Sequence, residues 1–163
     1  MTGEDDLHRL SMTVLMTPDM SNFSGNVHGG QLLKLLDQVA YTCASRYSRT
    51  YAVTLSVDQV VFREAVHVGE LVTFRASVNY TGRTSMEIGI QVTTEDLRAG
   101  IVRHTNSCYF TMVALGADRR RAAVPPLEVV TEDQRRRHAA AVSRRELRRE
   151  IEARTQEIRT AVP

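Results

Sequence analysis

The chain has 163 residues, enough for one globular domain with an appendage, and at this size about 70% of the unfolded surface can be buried around a single core. No window approaches the roughly 20 consecutive apolar residues of a membrane span, and the opening MTGEDDLHRL is acidic where a secretory signal is basic, so a cytoplasmic protein without a membrane partner is expected. The formal charge of +2 hides an asymmetry: residues 1–118 hold nine basic and twelve acidic side chains, whereas residues 119–163 hold twelve and seven. Cys43 and Cys108 have no further Cys or His at zinc-ligand spacing, which argues for two buried thiols rather than a disulfide or a metal site.

In chain order, residues 1–9 are polar and expected to be loose. Residues 11–16 read as a short strand, which Thr17-Pro18-Asp19 ends. Asn22-Phe23-Ser24-Gly25-Asn26 has turn chemistry, because Asn, Ser and Gly each offer the backbone an alternative to helix or strand. From Gln31 the period changes: Leu32, Leu33, Leu35, Leu36, Val39, Ala40, Cys43, Ala44 and Tyr47 recur at helical spacing, over a face wide enough to need cover on most sides. Asp37 stands inside that run, where a carboxylate needs partners or a task. Val53, Leu55 and Val57 then alternate with Thr54, Ser56 and Asp58, which predicts a half-buried strand continuing to Phe62. Residues 72–80 and 86–92 alternate likewise about a turn at Thr81-Gly82, a hairpin, and after a turn over 95–100 a long strand is expected over 101–115. Val124-Pro125-Pro126 closes the domain, since Pro cannot continue a ladder. Thr131 and Gln134 form a capping-box pattern opening a second helix to about Thr160, with Glu132–Arg136 and Asp133–Arg137 at pairing distance along it.

The stretch from Asn22 to Asp37 reads physically as an acyl-transfer site. The first four N–H groups of a helix lack intrahelical acceptors and carry the positive end of the macrodipole. Gly29 and Gly30 put no side chain in the way of an approaching carbonyl oxygen, so the turn can serve as an oxyanion hole. Asp37 would be general base or nucleophile, and Asn22 an amide orienting water or the substrate carbonyl. His28 adjoins the oxyanion turn, with no Ser or Cys in a nucleophile motif beside it; it reads as positioning the loop. The plain readings are a tight Gly-Gly turn, an Asn that forms a turn and an Asp bonded to a neighbour.

The order Asn22-x-x-Gly25, His28-Gly29-Gly30, Asp37 and then Thr81-Gly82-Arg83-Thr84-Ser85-Met86 resembles the hotdog-fold acyl-CoA thioesterases of the cytosolic acyl-CoA hydrolase type, over roughly residues 11–126. The resemblance implies an α+β fold, a single hotdog domain over residues 10–127 with an antiparallel sheet of about five strands wrapped around one central helix, and a C-terminal basic helical extension over 128–163. It implies hydrolysis of acyl-CoA to free acid and CoA, with Asn22, His28, Gly29, Gly30 and Asp37 at the catalytic site. The turn Gly82, Arg83, Thr84 and Ser85 would meet CoA, with Arg83 forking onto a phosphate. No cofactor is called for, CoA being part of the substrate. The family further implies a homo-oligomer, a dimer at least and a trimer of dimers as the larger assembly, with Asn22 and Asp37 of one site supplied by different subunits. Other readings are an enoyl-CoA hydratase, for which a His on the helix after Asp37 is lacking, and an acyl-CoA-binding or regulatory protein without turnover. In the basic tail, interleaved acids and the absence of aromatic residues argue against nucleic acid.

Overall fold

A computed structural model describes residues 7–161, so the part of the expected loose start that covers residues 1–6 lies outside the described residues. Five strands and two α-helices follow in the order β1 (Arg9–Leu15), α1 (Gly29–Ser48), β2 (Tyr51–Val57), β3 (Leu71–Thr81), β4 (Ser85–Asp96), β5 (Ile101–Leu115) and α2 (Glu132–Ala161). The sheet order is β1-β3-β4-β5-β2, antiparallel throughout. The chain divides into two compact units, Met1–Pro126 and Leu127–Pro163. This is the hotdog arrangement of one helix against one antiparallel sheet, joined by a C-terminal helix.

The alternation of the strands places one apolar row of each on the helix side. Val72, Phe74, Ala76 and Val78 of β3, Met86, Ile88, Ile90 and Val92 of β4, and Cys108, Phe110, Met112 and Ala114 of β5 are all buried. Against them α1 turns Leu32, Leu36, Val39, Ala40, Cys43 and Ala44. Both thiols lie in this core and are free.

Two expectations need correction. Within a single copy α1 is not covered on most sides: Leu33 and Tyr41 are each 41% exposed and Asp37 is also exposed, because the sheet of the same copy reaches only one face of the helix. β2 stops at Val57 rather than running to Phe62. The last tie to β5 is from Asp58 N–H to Tyr109 O at 2.9 Å, after which the chain leaves the sheet so that Val66 O can accept from Val27 N–H at 2.8 Å.

The register of β2 also shifts between Thr54 and Ser56. Leu55 is the extra residue, so Ala52, Thr54 and Val57 stand opposite Ala114, Met112 and Phe110 and share their helix-facing side. The row expected to be buried through Leu55 is therefore broken, and Leu55 is 62% exposed.

The connection from β2 to β3 is clamped to the sheet by one cation. The Arg103 guanidinium donates to both Glu70 oxygens at 2.8 and 2.7 Å, to Thr94 Oγ1 at 2.8 Å and to the Ala65 carbonyl at 2.9 Å. Glu70, only 8% exposed, also accepts from His67 N–H at 2.7 Å. In the C-terminal unit the capping box forms, Gln134 N–H donating to Thr131 Oγ1 at 3.2 Å and Thr131 N–H to Gln134 Oε1 at 2.8 Å. Glu132 pairs with Arg135, one position short of the expected Arg136, while Asp133 holds both Arg136 and Arg137.

Candidate active site

Asp37 lies on the exposed flank of α1 beside the free edge of the sheet. The Thr54 hydroxyl donates to Asp37 Oδ1 at 2.6 Å, a length typical of a charge-assisted O–H···O⁻ bond. The pair opens into a cleft of about 360 Å³ lined also by Gln38, Tyr41, Tyr51 and Met112. Tyr41 and Tyr51 meet edge to face, ring centroids 5.8 Å apart, and wall one side. Thr54 was missed from sequence because its contact joins a helix to a strand, and because simple alternation assigns it to the solvent side of β2.

Asn22, His28, Gly29 and Gly30 do not line this cleft. They form a second cluster at the start of α1. The Asn22 side-chain oxygen accepts from Ser24 N–H at 2.9 Å and Asn26 N–H at 3.2 Å, and Gly25 completes the turn with φ +79°. That is the turn-forming reading of Asn22, yet it uses only the carbonyl side of the amide. Among the described residues none accepts from its NH₂. The loop is sewn to the β2–β3 connection, with His67 Nδ1 and Asn26 Oδ1 2.8 Å apart.

His28 is the N-cap of α1. Its N–H donates to Met20 O at 2.8 Å, its Nδ1 accepts from Gly30 N–H at 2.9 Å, and its carbonyl takes Gln31 N–H and Leu32 N–H. The first-turn donors are thus committed one by one, except Gly29 N–H, which has no acceptor among the described residues. A Cβ at Gly29 would stand 3.7 Å from the Phe62 ring, in ordinary contact, and one at Gly30 would stand 3.1 Å from His28 Nδ1. Glycine at position 30 keeps the histidine cap close.

The hairpin between β3 and β4 is built into a corner of the sheet. Gly82 N–H donates to Ser85 O at 2.8 Å, while Arg83 O and Thr84 O accept from Val124 N–H and Ala114 N–H at 3.0 Å each. The Arg83 side chain is exposed, with Thr84 and Ser85 half-buried.

Comparison with known proteins defines the class. Residues 24–101 match the model of the thioesterase superfamily. Protein VdlD of Helicobacter pylori is 48% identical over 143 residues, covering 88% of this chain and 82% of that protein. A solved apo-hexameric acyl-CoA thioesterase is similar with a TM-score of 0.86 and 32% identity over 91% of this chain and 95% of the other. The acyl-CoA hydrolase of Staphylococcus aureus in complex with butyryl coenzyme A, coenzyme A and coenzyme A disulfide is similar with a TM-score of 0.82 and 25% identity, covering 94% and 95%. Variants of that hydrolase with an Asn, an Asp and a Thr each replaced by Ala are also solved; the Asn and Asp are 15 positions apart and the Asp and Thr 17, the separations of Asn22, Asp37 and Thr54. The chain belongs to the hotdog-fold acyl-CoA thioesterases of the thioesterase superfamily.

Proposed function

We propose that this protein hydrolyses acyl-CoA thioesters to a carboxylic acid and CoA, at sites that two copies of the chain build together. The observation that carries the reading is the Thr54–Asp37 hydrogen bond of 2.6 Å, set in an open cleft at the sheet edge. The carboxylate is aimed by a hydroxyl on Oδ1, which leaves Oδ2 for a water. Asp37 takes the proton of that water as its oxygen attacks the thioester carbonyl. Gly29 N–H holds the oxyanion, and collapse of the tetrahedral intermediate expels the CoA thiolate, which recovers the proton from Asp37. The free NH₂ of Asn22 orients the water or the substrate carbonyl, and His28 acts as a cap that shapes the oxyanion turn.

Helix geometry supports two copies per site. Gly29 and Asp37 are eight residues apart on α1, about 12 Å along its axis, whereas an oxyanion donor and a base must both lie about 3 Å from the reacting centre. One chain cannot bring its own Gly29 and Asp37 together; a second copy can. β2 is the sheet edge beside Asp37, and it offers unpaired backbone groups together with exposed Tyr51, Leu55 and Val57, flanked by Leu33 and Tyr41 of α1. Edge-to-edge pairing there satisfies the ladder and covers the apolar row. The hexameric relative favours a trimer of such dimers. The Asn, Asp and Thr separations shared with the Staphylococcus aureus hydrolase support the assignment of Asn22, Asp37 and Thr54. The contacts of Gly82, Arg83, Thr84 and Ser85 suit a turn that meets CoA, and no cofactor takes part. None of the described helices is long and apolar enough to cross a membrane, and we place the activity in the cytoplasm.

Release of free thiol from a panel of acyl-CoAs, followed with a thiol-reactive dye, tests this directly. Hydrolysis gives one thiol per acid formed; hydration of an enoyl-CoA or binding without turnover gives none. Label from ¹⁸O-water found in Asp37 after a single turnover, with the acid unlabelled, would mark Asp37 as nucleophile rather than base.

A further inference from the structure

Resting on that acyl-CoA reading, we infer that the turn carrying Arg119 and Arg121 forms, with Arg83, a seat for the phosphorylated adenosine end of CoA. The twelve basic residues of positions 119–163 look from sequence like one basic tail, but the first three belong to the hotdog unit, which extends to Pro126. After β5 the chain turns back on itself: Gly116 N–H donates to Arg120 O at 2.8 Å, Ala122 N–H to Ala114 O at 2.9 Å and Val124 N–H to Arg83 O at 3.0 Å. The returning segment therefore lies beside the Arg83 hairpin, in line with the start of β4, and the two turns bring Arg83, Arg119 and Arg121 to one corner.

These cations are not spent on neighbours. Arg83, Arg119 and Arg121 are exposed, and among the described residues none of the three has a carboxylate partner. Arg120 reaches Asp118 at 3.9 Å. The first turn of α2 is different, its arginines being paired with Glu132 and Asp133. Asp118, the carboxylate of this turn, is engaged by Arg120; the three remaining like charges repel, and the corner gains most from a multiply charged anion. The described non-glycine residues with left-handed backbone are Arg119 (φ 60°) and Arg49 (φ 57°), and Arg49 lies two positions before Tyr51. Glycine or asparagine would adopt that conformation at less cost.

The spacing to the chemistry suits the substrate. Tyr51 stands opposite Leu115, which bridges to Arg121, so Arg121 is two strand spacings, about 10 Å, from a residue lining the Asp37 cleft. Thr54 is three residues along β2 from Tyr51, again about 10 Å, which puts the corner about 14 Å from the Thr54–Asp37 pair on the diagonal. The pantetheine arm, roughly four peptide-length units of about 3.5 Å each, spans about the same distance.

The test compares the wild type with Arg119→Asn/Arg121→Gln, in which Asn suits the left-handed position, on an acyl-CoA and on the matching acyl-pantetheine, which lacks the phosphates. The KM for acyl-CoA is expected to rise about tenfold or more, the loss of one charge-assisted contact or better, with kcat/KM for acyl-pantetheine retained. An unchanged KM, or an equal loss on both thioesters, overturns the assignment. Calorimetric binding of adenosine 3′,5′-bisphosphate reads the seat without turnover, so failure of the thioesterase reading is seen separately as absence of hydrolysis of either thioester. Affinity for the bisphosphate at least tenfold weaker in the double variant supports the seat. Equal affinity in both proteins, or inorganic phosphate binding as well as the bisphosphate, contradicts it.

Discussion

Two side chains form the hydrogen-bonded pair of the proposed site, and each has a distinct deletion. Asp37→Asn keeps size while removing the negative charge, and turnover is expected to fall on the order of 10²-fold or more, as for loss of a general base. Thr54→Val removes the hydroxyl that donates to Asp37 Oδ1 and leaves the β-branched shape; a drop in kcat of about 10- to 100-fold, the worth of one hydrogen bond to a charged group, is expected in steady-state assays with KM little altered. Asp37 was legible from sequence because a lone acid interrupts an apolar helical run, whereas Thr54 was not, since nothing local marks a strand hydroxyl as the partner of a helix carboxylate. The role of His28 was half legible: sequence suggested a loop-positioning residue, and only the fold shows its Nδ1 as the acceptor for Gly30 N–H. The two thiols are a separate residue-scale test. Burial pushes Cys43 up from 9.0 to about 12 against the opposing pull of Arg46, and burial with the nearby Asp58 carboxylate pushes Cys108 to about 12 as well. Below pH 9 both thiols are neutral folded and unfolded, and this contribution to stability is complete. Between pH 9 and 12 the unfolded chain releases their protons while the native state keeps them, so stability is expected to fall as pH rises. Thermal melts across that range, compared with a Cys43→Ala/Cys108→Ala protein, should show the steeper loss in the wild type. A melting temperature that declines equally in both would remove the thiols as the cause.

At the scale of elements, period-two alternation located β3 and β4 because each packs a full apolar row against α1. It failed at β2, where the bulge at Leu55 resets which side chains face the helix and where an edge strand has partners on one side only. The connection that follows depends on a contact between distant segments, the grip of Arg103 on Glu70. Arg103→Met leaves the Glu70 carboxylate, 8% exposed, with His67 N–H and no cation. Destabilisation of about 2–3 kcal/mol in urea unfolding is expected, less than the full cost of a deeply buried pair because the Arg103 side chain keeps 29% exposure. Because His67 and Val66 hold the Asn22 loop, the same variant should lose turnover at temperatures where it remains folded. Unchanged unfolding free energy would show that the clamp carries no weight in the fold.

For the whole molecule, the sequence indicated a hotdog unit and a shared site only through resemblance to a family; the periodicities alone describe one helix and five strands. What the fold adds is a reason for sharing. An oxyanion donor and a base about 12 Å apart on one helix cannot serve one carbonyl, and the open edge of β2 beside Asp37 supplies a place for a second copy. The basic stretch 119–163 likewise separates, on folding, into a corner of the hotdog unit and a helix whose first turn is internally paired. The most direct measurement is subunit complementation. Asn22→Ala and Asp37→Asn proteins, each inactive alone, are mixed under conditions in which exchange of labelled subunits is demonstrated, and thiol release from acyl-CoA is recorded. Activity is expected to return to about a quarter of the wild-type rate, the statistical share of intact sites in a randomly mixed two-fold dimer. No recovery despite complete exchange would contradict a thioesterase site assembled from Asn22 of one copy and Asp37 of the other.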